Sequence, residues 1–112
     1  MFFLRLFSFL LFFTALGADA LAINPGELLK KARTLEGNGF LEEATQSWEK
    51  LTTVDTNLNF VIYAQLKLGI TYLKLKQFEK SIDILKTTTV SHPDNFDAHF
   101  SLANSLSAFK NF

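Results

Sequence analysis

Apolar residues recur along most of the chain at the spacing of one face of an α-helix. The clearest series begins at Ile62 and returns at Leu66, Ile70 and Leu73, and a second series begins after Gln77. Positions i, i+3/i+4 and i+7 lie on one side of a helix, whereas a strand would alternate at every second residue. The pattern predicts an all-α chain with helices over residues 25–37, 41–54, 59–75, 78–90 and 95–109.

Polar residues and prolines mark the ends of these helices. Asn24 can cap the first helix, and Pro25 suits its first position because that amide needs no partner within the helix. Pro93 disfavours helical geometry at the residue before it, and Asp94 or Asn95 can cap the helix that follows.

The first twenty residues have a different pattern. Arg5 precedes a mostly apolar run over residues 6–16, and Ala18 and Ala20 then form the A-x-A pattern that signal peptidase recognises. We therefore expect residues 1–20 to be a signal peptide and the mature chain to be periplasmic or secreted. Ala20 and Ala22 form a second A-x-A pattern, so cleavage after Ala22 is an alternative. The alternative is an uncleaved signal that anchors the protein, although a run of this length spans only about 17 Å of a ~30 Å hydrocarbon core.

Composition excludes several function classes. Eleven Lys and Arg balance eleven Asp and Glu, so the charge gives no reason to expect nucleic acid as a partner. The chain has no Cys, which excludes disulfides, thiolate metal sites and thiol nucleophiles. The two histidines, His92 and His99, flank Pro93 with no evident third ligand, so no metal site is expected.

The sequence carries none of the common catalytic motifs. There is no Gly-rich phosphate loop and no G-x-S-x-G nucleophile elbow. Glu79 and Asp83 are interleaved with four basic residues, Lys74, Lys76, Lys80 and Lys86, a pattern typical of a solvated helix face with i,i+4 ion pairs. We therefore expect the chain not to be an enzyme, to carry no cofactor and to bind no small-molecule substrate.

The helix-turn-helix order repeats, and residues 62–95 resemble one unit of the tetratricopeptide repeat (TPR) family, whose period is about 34 residues. The family pattern has L-G-x-x-Y in its first helix, an aromatic residue at the turn, a small and then a large apolar residue in its second helix, and a closing proline. The matching residues are Leu68, Gly69, Tyr72, Phe78, Ser81, Leu85 and Pro93.

The flanking copies match less closely. Over residues 25–58 the turn at 39–44 resembles the family's G-x-Y-E-E-A, and a third copy over 96–112 has Leu102 and Ala103 at the L-G positions. The resemblance implies a TPR solenoid, an α-α superhelix of about two and a half repeats, in which the third copy is truncated before its second helix. The chain would then be part of a longer repeat protein, or a short protein that forms a homo-oligomer through its exposed C-terminal helix.

In TPR proteins the first helix of each repeat lines a groove that holds another polypeptide. The resemblance assigns a set of partner-binding residues to that groove: Arg33, Tyr63, Leu66, Ile70, Lys74, Phe100 and Asn104. The same register also assigns Leu29, Glu36, Leu73, Asp97 and Ser107 to it. The apolar members favour an apolar helix or extended peptide, which Arg33 and Lys74 would orient.

Some TPR domains hold the C-terminal carboxylate of a chaperone with a set of polar and basic side chains. The corresponding residues here are Leu29, Arg33, Lys67, Asp97 and Ser101. Asp97 has the wrong sign for a carboxylate, so such a clamp is not expected.

The sequence therefore predicts an exported scaffold that mediates protein–protein interactions in the cell envelope, in the assembly of a complex. The alternative is an N-terminal repeat module of a longer enzyme or transport component, whose active domain lies beyond residue 112.

Overall fold

The computed structural model describes residues 24–54 and 57–112. The helices of this part of the chain are α1 (Pro25–Gly37), α2 (Leu41–Val54), α3 (Leu58–Lys74), α4 (Phe78–Ser91) and α5 (Phe96–Lys110). All five predicted helices are confirmed, each end within one residue of its prediction, and the described residues contain no strand. None of these five helices combines the length and apolar character needed to cross a bilayer. The predicted signal peptide over 1–20 lies outside the described residues.

Asparagine side chains start three of the helices. Oδ1 of Asn24, Asn57 and Asn95 each accepts a hydrogen bond from a backbone amide two or three residues further on, at 2.9, 3.0 and 3.0 Å. Each bond satisfies one of the amides that the first turn of a helix leaves without a partner. Of the two candidate caps for α5, Asp94 and Asn95, it is Asn95 that caps the helix.

The turns between α1 and α2 and between α3 and α4 have the same backbone geometry. Gly39 and Lys76 occupy the left-handed region, with φ of +84° and +60°. In both turns the next residue's amide donates to the carbonyl five residues earlier, at 2.8 and 2.9 Å. This is the Schellman arrangement, which usually places a glycine at the left-handed position. Lys76 therefore adopts a conformation that an L-side chain disfavours.

Each helix packs against its neighbours in the chain, and α3 packs also against α5. The main core lies where α1, α2 and α3 meet, and its buried residues are Leu28, Ala32, Ala44, Trp48, Leu51, Ala64, Leu68 and Tyr72. Trp48 on α2 and Leu85 on α4 are fully buried, in keeping with the large apolar positions of the repeat pattern. Burying a side chain of this size stabilises the fold by about 1.5–3 kcal/mol.

Small residues allow α4 to lie close to α3. A Cβ built on Gly69 would stand 2.6 Å from the side chain of Leu85, closer than real Cβ contacts allow. Ser81 on α4 is fully buried, and its Oγ donates to the carbonyl oxygen of Gly69 at 2.7 Å. The hydroxyl of Ser81 therefore fixes the two helices at the point where glycine lets them approach.

The face of α5 that packs inward is made of small residues. Ala98, Ser101 and Ser105 are its buried members, and Ser105 Oγ lies 2.7 Å from Ser81 Oγ. The large apolar residues of α5 face outward instead, with Phe96 75% and Phe100 57% exposed. Hydrophobic periodicity alone would have pointed the aromatic side of α5 inward, because serine contributes no apolar signal.

Candidate functional site

An open cavity of about 410 Å³ lies between α3 and α5, and we call it the α3–α5 groove. Its lining residues are Tyr63, Leu66, Lys67, Ile70, Leu73, Asp97, Phe100, Ser101, Asn104 and Ser105. Those from α3 recur at helical spacing, so one face of that helix forms a wall of the groove. Five of the seven predicted binding residues share this cavity, namely Tyr63, Leu66, Ile70, Phe100 and Asn104.

The packing of α5 explains why the groove exists. Its small inward residues bring its backbone close to α4, and Ser101 and Ser105 also reach the base of the groove. Phe100 then stands on the wall opposite Leu66 and Ile70, still 57% exposed. The groove therefore presents apolar surface from both helices to solvent.

Arg33, the sixth predicted residue, lies beside this groove. Its Nη2 donates to the hydroxyl of Tyr63 at 3.2 Å, and its guanidinium carbon lies 5.4 Å from the centre of that ring. Together with Leu29, Asn59 and Phe60, the two residues line a separate pocket of about 190 Å³ between α1 and α3. Tyr63 is thus shared by the two cavities, and Arg33 is held against it by a hydrogen bond and a cation–π contact.

Lys74, the seventh, is paired with an acid of α1. Glu36 Oε1 lies 3.5 Å from Lys74 Nζ and 3.0 Å from Lys67 Nζ, and these are the ion pairs of the described residues. The i,i+4 ion pairs expected among the lysines and acids of residues 74–86 do not form within the described part of the chain. The side chain of Glu36 is only 11% exposed, so one carboxylate sits between two ammonium groups in a partly dry environment.

The charges at the groove are of both signs. Lys67 lines it from α3 and Asp97 from α5, while Asn104 adds a neutral amide. The ammonium of Lys67 also donates a hydrogen bond to Glu36, which lies outside the groove. An occupant therefore meets an apolar surface with a few polar groups, the composition typical of a binding site rather than of a protein core.

Trp48 supports the groove from behind. Its ring meets that of Tyr63 edge-on, with centroids 5.8 Å apart, and Lys67 Nζ lies 6.0 Å from the Trp48 ring. The Nε1 of Trp48 is buried and has no hydrogen-bond partner within the described residues. Trp48 is the single tryptophan of the chain, so its fluorescence reports on the environment of Tyr63.

Sequence reasoning missed three residues of the lining, Lys67, Ser101 and Ser105. Lys67 and Ser101 were considered only as clamp positions, and Ser105 was not considered. The 34-residue spacing that aligns Ser101 with Lys67 was the available signal for these two.

The repeat register assigned five further residues to the groove, with mixed outcomes. Leu73 and Asp97 line it, whereas Leu29 lies in the α1–α3 pocket and Glu36 lies beside Lys67 and Lys74. Ser107 is exposed on α5 and does not line the groove.

The histidines and acids form no obvious metal site. Within the described residues no three of His, Asp and Glu gather closely enough to hold a metal ion. His99 Nε2 lies 2.8 Å from the carbonyl oxygen of Pro93, so this ring is engaged with the turn between α4 and α5.

No protein-family model, curated protein or solved structure matches this chain.

Proposed function

We propose that this chain is an exported scaffold of TPR type that binds a segment of another protein in its α3–α5 groove. The observation that carries the proposal is the groove itself, where Leu66, Ile70 and Phe100 offer apolar surface to solvent across a cavity of about 410 Å³. Apolar clefts with a few convergent polar groups are the usual form of a binding site.

The lining determines the chemistry of the occupant. Leu66 and Ile70 lie one turn apart on α3, so they can receive two apolar side chains that are themselves about one helical turn apart. Lys67, Asp97 and Asn104 supply polar groups that can fix the orientation of the occupant. An amphipathic helix, or an extended peptide with alternating apolar residues, has the matching pattern.

Three features support the TPR-type architecture. The positions of the L-G-x-x-Y motif, Leu68, Gly69 and Tyr72, are buried. The left-handed turns at Gly39 and Lys76 connect the helices of two successive hairpins in the same way. The direct packing of α3 on α5 relates the first helices of successive repeats. In such repeats each hairpin buries its apolar face against the next one.

Export rests on the sequence of residues 1–20, and a role in assembling an envelope complex follows from export and binding together. Mass spectrometry of the protein recovered from an expressing bacterium tests the first step. A mature N-terminus shortly after Ala20 supports cleavage, whereas an intact residue 1–20 segment in the membrane fraction favours the anchored alternative.

A peptide selection tests the groove directly. A displayed library of random peptides is panned against the exported protein, and the enriched peptides are titrated while Trp48 fluorescence is followed. We expect apolar peptides whose affinity falls at least tenfold in Leu66→Asp and in Phe100→Asp, because each change places a charge on a groove wall. Val90→Asp is the matched control, since Val90 is 80% exposed on α4 and lies away from the groove.

Circular dichroism shows whether each variant keeps its helices. If the selected peptides bind folded Leu66→Asp as tightly as the parent, the α3–α5 groove is not the binding site. If no apolar peptide is enriched over the control panning, the proposal of a peptide-binding scaffold fails.

A further inference from the structure

A second apolar surface lies on α5 outside the α3–α5 groove, and we call it the outer face of α5. Its members are Phe96, Leu102, Ala103, Leu106 and Phe109. Phe96 is 75%, Leu106 43% and Phe109 48% exposed, although the Phe109 ring also packs against Phe78 of α4, with centroids 6.2 Å apart. The face is distinct from the α3–α5 groove, with which it shares no residue.

The outer face has the spacing of a surface that already binds a helix elsewhere in the chain. Leu102, Ala103 and Leu106 each stand 34 positions after a residue of α3. Those earlier residues are Leu68, Gly69 and Tyr72. They are buried where α4 crosses α3 in the antiparallel direction, with Leu85 resting on Gly69. A small residue between two larger ones therefore recurs on α5, ready for a helix to approach closely.

The order of residues along this face is self-complementary when the helix is reversed. Around a midpoint between Leu102 and Ala103, Phe96 is mirrored by Phe109, and Leu106 by His99. In a two-fold interface each residue meets its mirror position in the other copy. A second copy of α5, laid antiparallel, would thus put a large Leu102 against a small Ala103 twice and an aromatic pair at each end.

The charges at the two ends of the outer face also favour a second copy of the chain as its occupant. Lys110 lies at the C-terminal end of the face and Asp94 just before its N-terminal end, so reversal brings each Lys110 near Asp94 of the other copy. The chain has a formal net charge of zero, so two copies do not repel one another as whole molecules. The antiparallel direction also sets the partial positive end of one helix beside the partial negative end of the other.

We propose that the outer face of α5 is a homodimer interface, formed by two antiparallel α5 helices that cross at Leu102 and Ala103. The occupant is a second copy of this chain. The interface and the groove share no residue, and they meet only where the Phe96 ring stacks on that of Phe100, with centroids 6.0 Å apart.

Sedimentation velocity of the exported protein over a range of about 1–200 μM tests the association. We expect the mass of a dimer at the upper end, and at least a hundredfold weaker association in Leu106→Glu, which places a charge within the interface. Val90→Glu is the matched control, because it puts the same charge at an exposed apolar residue of α4 and leaves the dimer intact.

Disulfide trapping gives a second measurement that does not depend on a disruptive substitution. The chain has no cysteine of its own, so one introduced thiol per copy reports a single contact. Ala103→Cys lies next to the proposed two-fold axis, where closely packed helices would bring the two thiols together, and it should cross-link under mild oxidation. Val90→Cys should cross-link far more slowly.

A monomer throughout the concentration range overturns the proposal, and so does a dimer that Leu106→Glu and Val90→Glu weaken equally. Equal cross-linking rates for the two cysteine variants also overturn it, since they indicate random collision. Peptide binding by the Leu106→Glu protein keeps the two proposals distinguishable, because it tests the groove in a protein whose proposed dimer interface has been altered.

Discussion

Tyr72 on α3 donates a hydrogen bond from its hydroxyl to Oε1 of Glu49 on α2. Lys80 on α4 lies over the same ring, with Nζ 5.7 Å from the ring centroid. Tyr72 therefore joins three helices at one point. Burial, and after it the hydrogen bond and negative charge of Glu49, raise the pKa of Tyr72 well above its ordinary value of 10.

This pKa shift predicts a loss of stability in alkaline solution. A group whose pKa is higher in the folded state holds its proton more tightly there, so its full contribution is present below the unfolded pKa near 10. The contribution declines once the pH rises above 10, where the unfolded chain releases the proton first. We expect the free energy of unfolding, measured with urea, to decline more steeply above pH 10 in the parent than in Tyr72→Phe.

At pH 8 the same variant should be less stable than the parent by about 1–2 kcal/mol, because it loses a hydrogen bond to a charged acceptor. The difference between the two proteins should then narrow as the pH approaches 11. Tyr72→Phe leaves every other group unchanged, so any other effect of alkaline pH is common to the two proteins and cancels in the comparison. A difference that stays constant from pH 8 to 11 would contradict the role assigned to Tyr72.

Gly69 should tolerate no side chain. We expect Gly69→Ala to lower the free energy of unfolding by about 1–3 kcal/mol, since the new Cβ would force Leu85 or α4 to move. Thermal and urea unfolding measure the change. Gly37→Ala is the control, because nothing lies within 4 Å of a Cβ at that helical position and alanine should leave stability equal or raise it by up to ~1 kcal/mol. Equal effects at both glycines would show that close approach is not the cause.

Replacing Lys76 by glycine should stabilise the protein. Its φ of +60° disfavours an L-side chain, whereas Gly39 holds the matching turn without that cost. We expect Lys76→Gly to stabilise the protein by about 0.5–1 kcal/mol in urea unfolding. Lys76→Ala removes the charge but keeps the Cβ, so it should give no such gain. A gain of the same size in both variants would assign the effect to charge instead.

The buried hydroxyl of Ser81 should contribute modestly to the free energy of unfolding. Ser81→Ala removes its bond to the Gly69 carbonyl and the contact with Ser105, and we expect a loss of about 0.5–1.5 kcal/mol. The loss stays small because the Ser105 hydroxyl can still donate to the carbonyl of Ser101, 3.1 Å away. Ser107→Ala on the exposed side of α5 should change stability by less than about 0.5 kcal/mol. If Ser81→Ala leaves the free energy of unfolding unchanged, packing alone holds α4 against α5.

The helices could be predicted from the sequence because their signals are local. Asn24 and Asn95 cap the amides next to them, and Pro93 separates two helices through its own ring. The apolar wall of the groove followed from the same logic, since Leu66 and Ile70 share a helix face whatever packs against it.

The partner of Lys74 and the inward side of α5 could not be predicted, because both depend on tertiary packing. Lys74 pairs with Glu36, an acid 38 positions away, because α1 lies against α3 and no i,i+4 rule anticipates that. The inward side of α5 is built from serine and alanine, whose burial depends on Gly69 and Ser81 allowing a close approach. Small polar residues carry too little hydrophobic signal for periodicity to reveal such a contact.

Among the described helices, the backbone of α3 lies close to three others, α2, α4 and α5. The backbone of α1 lies close to α2 alone, and α1 reaches α3 only through side chains such as Arg33 and Glu36. Local opening of α1 would therefore leave the remaining hairpins in place, while loss of α3 would separate the two halves of the stack. Amide protons of α3 should accordingly exchange with solvent most slowly, and those of α1 among the fastest. Destabilising substitutions should therefore be tolerated best in α1 and least in α3, the helix that also forms a wall of the groove.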